Sequence, residues 1–355
     1  HFAGEAHVTS GLYLWFNHYL KKVIVNGGRP GEAERYSLGG EAVSPGGFSD
    51  DEELIPYPKN AFPGFRLLQE YFVLPQKFLF IDVGGLDRVR EISKEGRFSI
   101  EFEFSKPLDP GLRVDEGNFL LYCTPVINIF KKEADPIRLS HEKTEYRVRP
   151  ASQKQAHFEI FQIKRVEGWV QGGGARRQYN PFISFSHNIS GTNSEDELYY
   201  QIRREPAVVG KGIDTYISFV EAKGQKAHPD REVVSLDLEC TNRGLPARLK
   251  PGDISRATGT SPEFAEFSNI TPPTESFPPP LGEALDWLLI SNMSLNHMSL
   301  TSLEALRAVL AAYNFPAYYN AQSARTGELR LSGLESVATE PLTWMVKGAP
   351  VRGMK

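Results

Sequence analysis

Eight histidines, two cysteines and 44 acidic residues are the groups in this 355-residue chain with the means to do chemistry. Their spacing decides which chemistry is open to them. Zinc or calcium would need ligands at recurring intervals such as HxxxH, HExxH or DxDxDG, but the histidines are scattered and none of these patterns occurs. Covalent catalysis would need a GxSxG elbow or a Cys/His pair on suitable elements, and neither is present. No catalytic residue, metal or cofactor is therefore predicted. Cys123 and Cys240 stand far apart in apolar, strand-like runs without CxxC spacing. That pattern reads as two buried free thiols in a reducing compartment such as the cytoplasm, with a single disulfide as the alternative.

Four weaker constellations remain. His141 and His187 lie beside polar or acidic residues, the setting of a hydrogen-bonded histidine more often than of a general base. Gly172, Gly173 and Gly174 precede Arg176 and Arg177, yet the stretch lacks the GxxxxGK[ST] form and opens no helix, so it reads as a hairpin tip. Glu101 and Glu103 alternate with Phe102 and Phe104, which puts both carboxylates on the wet face of a strand. The cluster Arg138, His141, Glu142, Lys143, Glu145, Arg147 and Arg149 is richer. Lys143, Glu145, Arg147 and Arg149 share one strand face, which favours cross-strand ion pairs or a protein interface.

The elements that would position these groups are mostly strands. Apolar residues at Leu12, Trp15, Phe16, Tyr19, Leu20 and Val23 recur at helical spacing, predicting an amphipathic helix over Ala6–Val25 capped by Thr9 or Ser10. A Gly- and Pro-rich stretch from Asn26 to Gly47 and the acids at Asp50–Glu53 read as a loop. Pro63 begins a short aromatic helix through Tyr71 and Phe72 that Pro75 ends, and Lys77–Val83 then reads as a strand. Seven Phe and Tyr residues lie between Tyr57 and Phe80, more than one short helix and strand need. Core packing is the first reading of Phe62, Phe65, Arg66, Tyr71 and Phe72, and an interface between subunits is the second.

Further strands are predicted at Phe98–Phe104, Phe119–Phe130, Thr144–Val148, Phe158–Val166, Phe182–Phe185, Leu198–Arg203, Thr215–Val220 and Glu232–Glu239. After Asn269 a Pro-rich connector leads to an apolar run at Leu281–Met293. A helix over Leu303–Tyr313 follows, capped by Thr301 or Ser302, and the chain ends on strand-like pieces. The expected fold is mainly β with α+β character: antiparallel β-sandwich or barrel-like domains, an amphipathic N-terminal helix and a small helical region near the C-terminus. The expected divisions are residues 1–55, 56–268, with an internal boundary near 150, and 269–355.

Composition narrows the function classes. Hydrophobic residues make up 40% and charged residues 24%, a globular balance, and no apolar run approaches the roughly 20 residues that span a bilayer. A soluble chain is expected. The net charge of −4 comes with evenly spread Lys and Arg, so no nucleic-acid footprint is visible. The chain begins at His1 with no signal peptide and stops after Val346–Lys355 without a cap, which reads as a piece cut from a longer polypeptide.

Three segments carry a resemblance: YPKNAFPGFRLLQEYFVLPQKFLFIDVGGL, CTPVINIFKKEADPIRLSHEKTEYRVRP and LISNMSLNHMSLTSLEALRAVL. Together they resemble the TssF family, also called ImpG or VasA, the baseplate wedge component of the bacterial type VI secretion system. The resemblance runs over nearly the whole chain. It implies a cytoplasmic, non-enzymatic scaffold at the base of a contractile sheath, docked at the inner-membrane complex without inserting into the membrane. The implied partners are TssG, a second TssF copy, TssK and TssE-type baseplate subunits, and no nucleic acid. A different class, a carbohydrate-binding or carbohydrate-cleaving β-sandwich, would require two carboxylates facing one cleft about 5–10 Å apart. A nucleic-acid-binding barrel ranks below both, because the aromatic segment holds only Lys59, Arg66 and Lys77 as cations.

Overall fold

The computed structural model describes residues 1–28, 34–58, 62–93, 96–139, 143–170, 176–182, 198–208, 212–221, 232–259, 261–281, 285–287, 290, 302–346 and 349–354. Two compact units emerge. His1–Ile127 joins Leu295–Lys355 in the first, and Asn128–Ser294 forms the second.

The first unit opens with helix α1 (Ala6–Leu14), one π-type turn at Trp15–Tyr19, and strand β1 (Leu20–Asn26). The predicted helix thus stops well short of Val25. Its cap position is Glu5, not Thr9 or Ser10. Val23, Ile24 and Val25 are β-branched and favour a strand, and Val23 and Val25, two residues apart, are both fully buried. Val23 fits both a helical spacing from Leu20 and a strand alternation with Val25, which misled the periodicity.

β1 pairs antiparallel with β2 (Arg35–Gly39), and the predicted loop from Asn26 to Gly47 also holds β3 (Val43–Pro45). β3 pairs with β4 (Ile81–Val83), so the strand predicted from Lys77 begins later, after a 3-10 turn at Pro75–Phe78. Gly47 has φ +93°, and a Cβ there would lie 2.5 Å from the Lys77 carbonyl oxygen, so only glycine fits this crossing. The aromatic helix α2 (Pro63–Val73) forms as predicted, with proline in its first turn, and a short helix α3 spans Val89–Ile92. The other neighbour of β1 is β5 (Ser99–Phe104), whose Phe102 and Phe104 rings meet Phe16 at 4.8 and 5.2 Å. Phe2, Val8 and Leu12 complete this core with Leu112 and Val114.

The strand predicted over Phe119–Phe130 does not form as such. Phe119 makes one bridge to Phe2, the chain then runs without a ladder, and regular pairing resumes only at β6 (Phe130–Glu133).

In the second unit β6, β7 (Ile137–Leu139), β8 (Tyr146–Arg147), β9 (Glu159–Val170), β10 (Arg176–Pro181), β11 (Leu198–Pro206), β12 (Ile213–Glu221) and β13 (Glu232–Thr241) make one eight-stranded sheet. Its order is β6-β13-β9-β10-β11-β12-β8, with β7 also on β13. Every pair is antiparallel except β10–β11, where Tyr179 lies beside Leu198 in parallel register. Alternation along β13 buries Glu232, Val234, Leu236, Leu238 and Cys240 on one face. Val166 of β9 and Ile217 of β12 fill the same core.

Cys240 is buried and Cys123 half-buried, and both are free thiols. The Pro-rich stretch 272–281 carries no helix or strand, while His141, Gly172–Gly174, His187, all but Phe182 of the Phe182–Phe185 strand and most of the Leu281–Met293 run lie outside the described residues.

The last part of the first unit holds α4 (Leu303–Ala312), α5 (Ala321–Ser332) and a hairpin of β14 (Pro341–Val346) and β15 (Ala349–Met354). The side-chain oxygen of Ser302 accepts from the Ala305 N–H at 3.2 Å, fixing the start of α4. Helix α5 went unpredicted because its polar sequence, interrupted by Gly327, has no clear apolar stripe. Asn320 caps its start, and Arg307 of α4 closes its end by donating to the Leu331 and Ser332 carbonyls at 3.2 and 3.3 Å.

Candidate functional site

Helix α2 sorts its side chains onto two working faces. Arg66 and Glu70 are four residues apart, one above the other, and both are buried, at 3% and 2% exposure. Glu70 forms an ion pair with the equally buried Lys77 from the following turn. The other oxygen of Glu70 accepts main-chain N–H groups from Leu54 and Ile55, both at 2.9 Å. Arg66 donates to Glu53 at 2.9 Å and reaches Asp50 at 3.4 Å. The helix therefore holds the acidic 50–55 segment through two charged side chains. A buried carboxylate with three donors satisfies the requirement that interior charges be paired and hydrogen-bonded.

The opposite face is aromatic. Phe65 stacks on Tyr313 with centroids 5.1 Å apart and planes 12° apart, and Phe62 meets Phe65 edge-on at 5.4 Å while staying 66% exposed. Arg330 of α5 sits 5.4 Å from the Tyr71 ring centroid, an arrangement that favours the cation electrostatically. Phe72 is buried beside Tyr71. Burial, then the neighbouring Tyr57, pushes the Tyr313 phenol up to about 12.

In the second unit, Glu145 is gripped at both oxygens by Arg203 of β11, at 3.0 Å from Nε and 2.6 Å from Nη2. To get there the Arg203 guanidinium crosses the Tyr216 ring of β12 at 4.9 Å. That two-pronged hydrogen bonding, first of all, holds the Glu145 carboxyl below its ordinary range. Arg147 pairs with the buried Asp214 at 2.5 Å. Arg149 is exposed, and its carbonyl accepts from the Asp135 N–H at 2.8 Å. Between them Tyr146 and Val148 face the core.

Two clefts open among the described residues of the first unit. One, of about 410 Å³, is lined by Leu86, Val89, Arg90, Ser93, Gly96 and Phe98. The other, of about 150 Å³, lies between Phe72 and Pro75 on one side and Asn314, Thr326 and Arg330 on the other. Neither lining includes a carboxylate, histidine or cysteine, so neither of these two clefts offers the paired carboxylates of a sugar-cleaving site. Among the described residues no group of three His, Cys, Asp or Glu side chains converges for a metal. No described helix is long and apolar enough to cross a membrane.

The profile of the family described as "Type VI secretion system, TssF" matches residues 1–355. The chain belongs to the TssF family.

A curated TssF relative, the type VI secretion system component TssF1 of Pseudomonas aeruginosa, is 29% identical over 321 residues, covering 84% of this chain and 49% of the relative. The chain thus spans about half the length of that protein. A chain of the type VI secretion system TssK–TssF–TssG baseplate subcomplex, solved by cryo-electron microscopy, superposes with a TM-score of 0.73 at 29% identity. That match covers 99% of this chain and 63% of the other. A chain of the baseplate complex from the type VI secretion system gives a TM-score of 0.54 at 28% identity, covering 99% and 59%.

Sequence reasoning located the TssF segment around α2 but missed the residues that complete it. Lys77 reads from sequence as the start of a strand, while Tyr313 and Arg330 reach α2 from the far end of the sequence. Arg203 and Asp214 likewise had no local signal tying them to Glu145 and Arg147. Only the register of β11, β12 and β8 brings those pairs together.

Proposed function

We propose that this chain is the body of a structural baseplate subunit of the type VI secretion system, a wedge that scaffolds the contractile sheath and tube and catalyses nothing. The observation that carries this reading is its superposition, along 99% of its length, on a chain of a TssK–TssF–TssG subcomplex. The ion pairs described above support it, because they fix α2 and the β11–β12–β8 edge in place instead of presenting reactive groups. On this reading TssG and TssK are direct partners. A second copy and a TssE-type subunit join the wedge, and the assembly works in the cytoplasm against the inner-membrane complex. Co-expression of the full-length protein with TssG and TssK, followed by size-exclusion chromatography and native mass spectrometry, tests the proposal. A stoichiometric complex is expected, and a full-length protein that elutes alone would refute it.

A further inference from the structure

The cleft of about 150 Å³ between the end of α2 and helix α5 gathers hydrogen-bonding side chains that stay idle among the described residues. Phe72 and Pro75 give it an apolar wall, and both walls belong to the first unit. The most enclosed of its polar groups is Asn314, at 6% exposure. The Asn314 side-chain amide makes no hydrogen bond among the described residues, although a buried amide left without a partner is costly. It reaches this position because residue 327 is glycine: a Cβ there would lie 2.0 Å from Asn314 Nδ2. The Thr326 and Ser323 hydroxyls and the Gln322 amide line the same cleft, again with no side-chain hydrogen bond among the described residues.

Arg330 supplies the charge. The Tyr71 ring, 5.4 Å from its guanidinium, holds the cation through the ring face and leaves the N–H groups free. Arg330 forms no ion pair among the described residues, and the lining of the cleft holds no acid. The one formal charge there is therefore positive, set among hydroxyls and amides that can donate. A planar guanidinium presents paired N–H groups that match the two oxygens of a carboxylate. The volume, well under the roughly 300–1,000 Å³ of a drug-sized site, suits one small group.

We propose that this cleft binds a single carboxylate, which Arg330 holds by charge and fork geometry while Asn314 and Thr326 supply further donors. A free organic acid and an acidic side chain of a neighbouring polypeptide present the same group. The binding of that group does not depend on the baseplate reading; only its source does.

Saturation-transfer difference NMR on the full-length protein with sodium acetate reads the site without any partner. A saturable acetate signal is expected, with a midpoint on the order of 1–10 mM. Arg330→Gln should weaken binding about tenfold or more. Thr326→Val, which removes the hydroxyl at nearly constant volume, should weaken it about threefold or more. Both variants should melt within about 3 °C of wild type. Repeating the titration with TssG bound separates the two sources. Acetate displaced by TssG assigns the carboxylate to that polypeptide, and acetate retained assigns it to a free acid. If TssG fails to assemble, the baseplate reading falls while the acetate result stands. No saturable signal from the full-length protein, or a signal that both substitutions leave unchanged, overturns the proposal.

Discussion

Lys77 and Glu70 form an ion pair with both side chains withdrawn from solvent, at 0% and 1% exposure, and the same carboxylate holds the Leu54 and Ile55 amides. One carboxylate thus ties helix α2, the turn after it and the acidic segment before it. Removing one member of such a pair leaves an uncompensated interior charge, which is costlier than losing an exposed salt bridge.

Lys77→Met is expected to destabilise the protein by about 3–5 kcal/mol. Glu70→Gln with Lys77→Met should lose less than the two single changes added together, because no lone charge remains. Urea denaturation of the four proteins measures the coupling. Additive losses would mean that the two side chains do not interact.

The Tyr313 phenol gives a pH dependence with a definite sign. Its folded value is raised to about 12 from an ordinary value near 10, so the unfolded chain releases this proton first. Stability from this group is therefore whole below about pH 10 and declines as pH climbs from there toward 12. Tyr313→Phe should flatten that alkaline decline in melts recorded between about pH 9 and 11. An identical slope in both proteins would rule Tyr313 out as its source.

The two thiols should respond differently to a reagent. Burial pushes the Cys240 thiol up to about 11, and its side chain is closed off within the sheet core, whereas Cys123 is only half-buried. One thiol per chain should be alkylated at about pH 8 under native conditions, and both after denaturation. Mass spectrometry that finds Cys240 modified in native protein would contradict the burial.

Gly168 of β9 leaves the space that Glu232 occupies. A Cβ at position 168 would overlap the Glu232 carboxylate and come within 3.0 Å of the Tyr179 ring. Tyr179 donates its hydroxyl hydrogen to that carboxylate at 2.9 Å. Gly168→Ala should cost about 1–3 kcal/mol through overpacking, read from the urea midpoint. A loss below about 0.5 kcal/mol would mean that Glu232 turns aside freely.

What the sequence disclosed follows the range of the forces involved. Pro63 with an apolar period gave α2, Ser302 gave the start of α4, and strict alternation gave β13, because each signal is local. Val23 defeated the same method by fitting a helix period and a strand period at once, and only its pairing with Leu38 and Phe102 decides between them. The candidate residues on α2 and around Glu145 were readable as a group. Their partners Tyr313, Arg330 and Arg203 were not, since nothing near Phe65, Tyr71 or Glu145 marks which distant residue will arrive.

The division of the first unit between both ends of the sequence has a consequence for biosynthesis. At roughly 5–20 residues per second, the ribosome completes α2 on the order of ten seconds or more before α5 emerges. Phe65 and Tyr71 therefore wait without Tyr313 and Arg330 while the entire second unit is translated and given time to fold. A nascent chain stalled in that interval would expose its aromatic face to chaperones and to other unfinished chains, and the vulnerability closes only when the late helices are released.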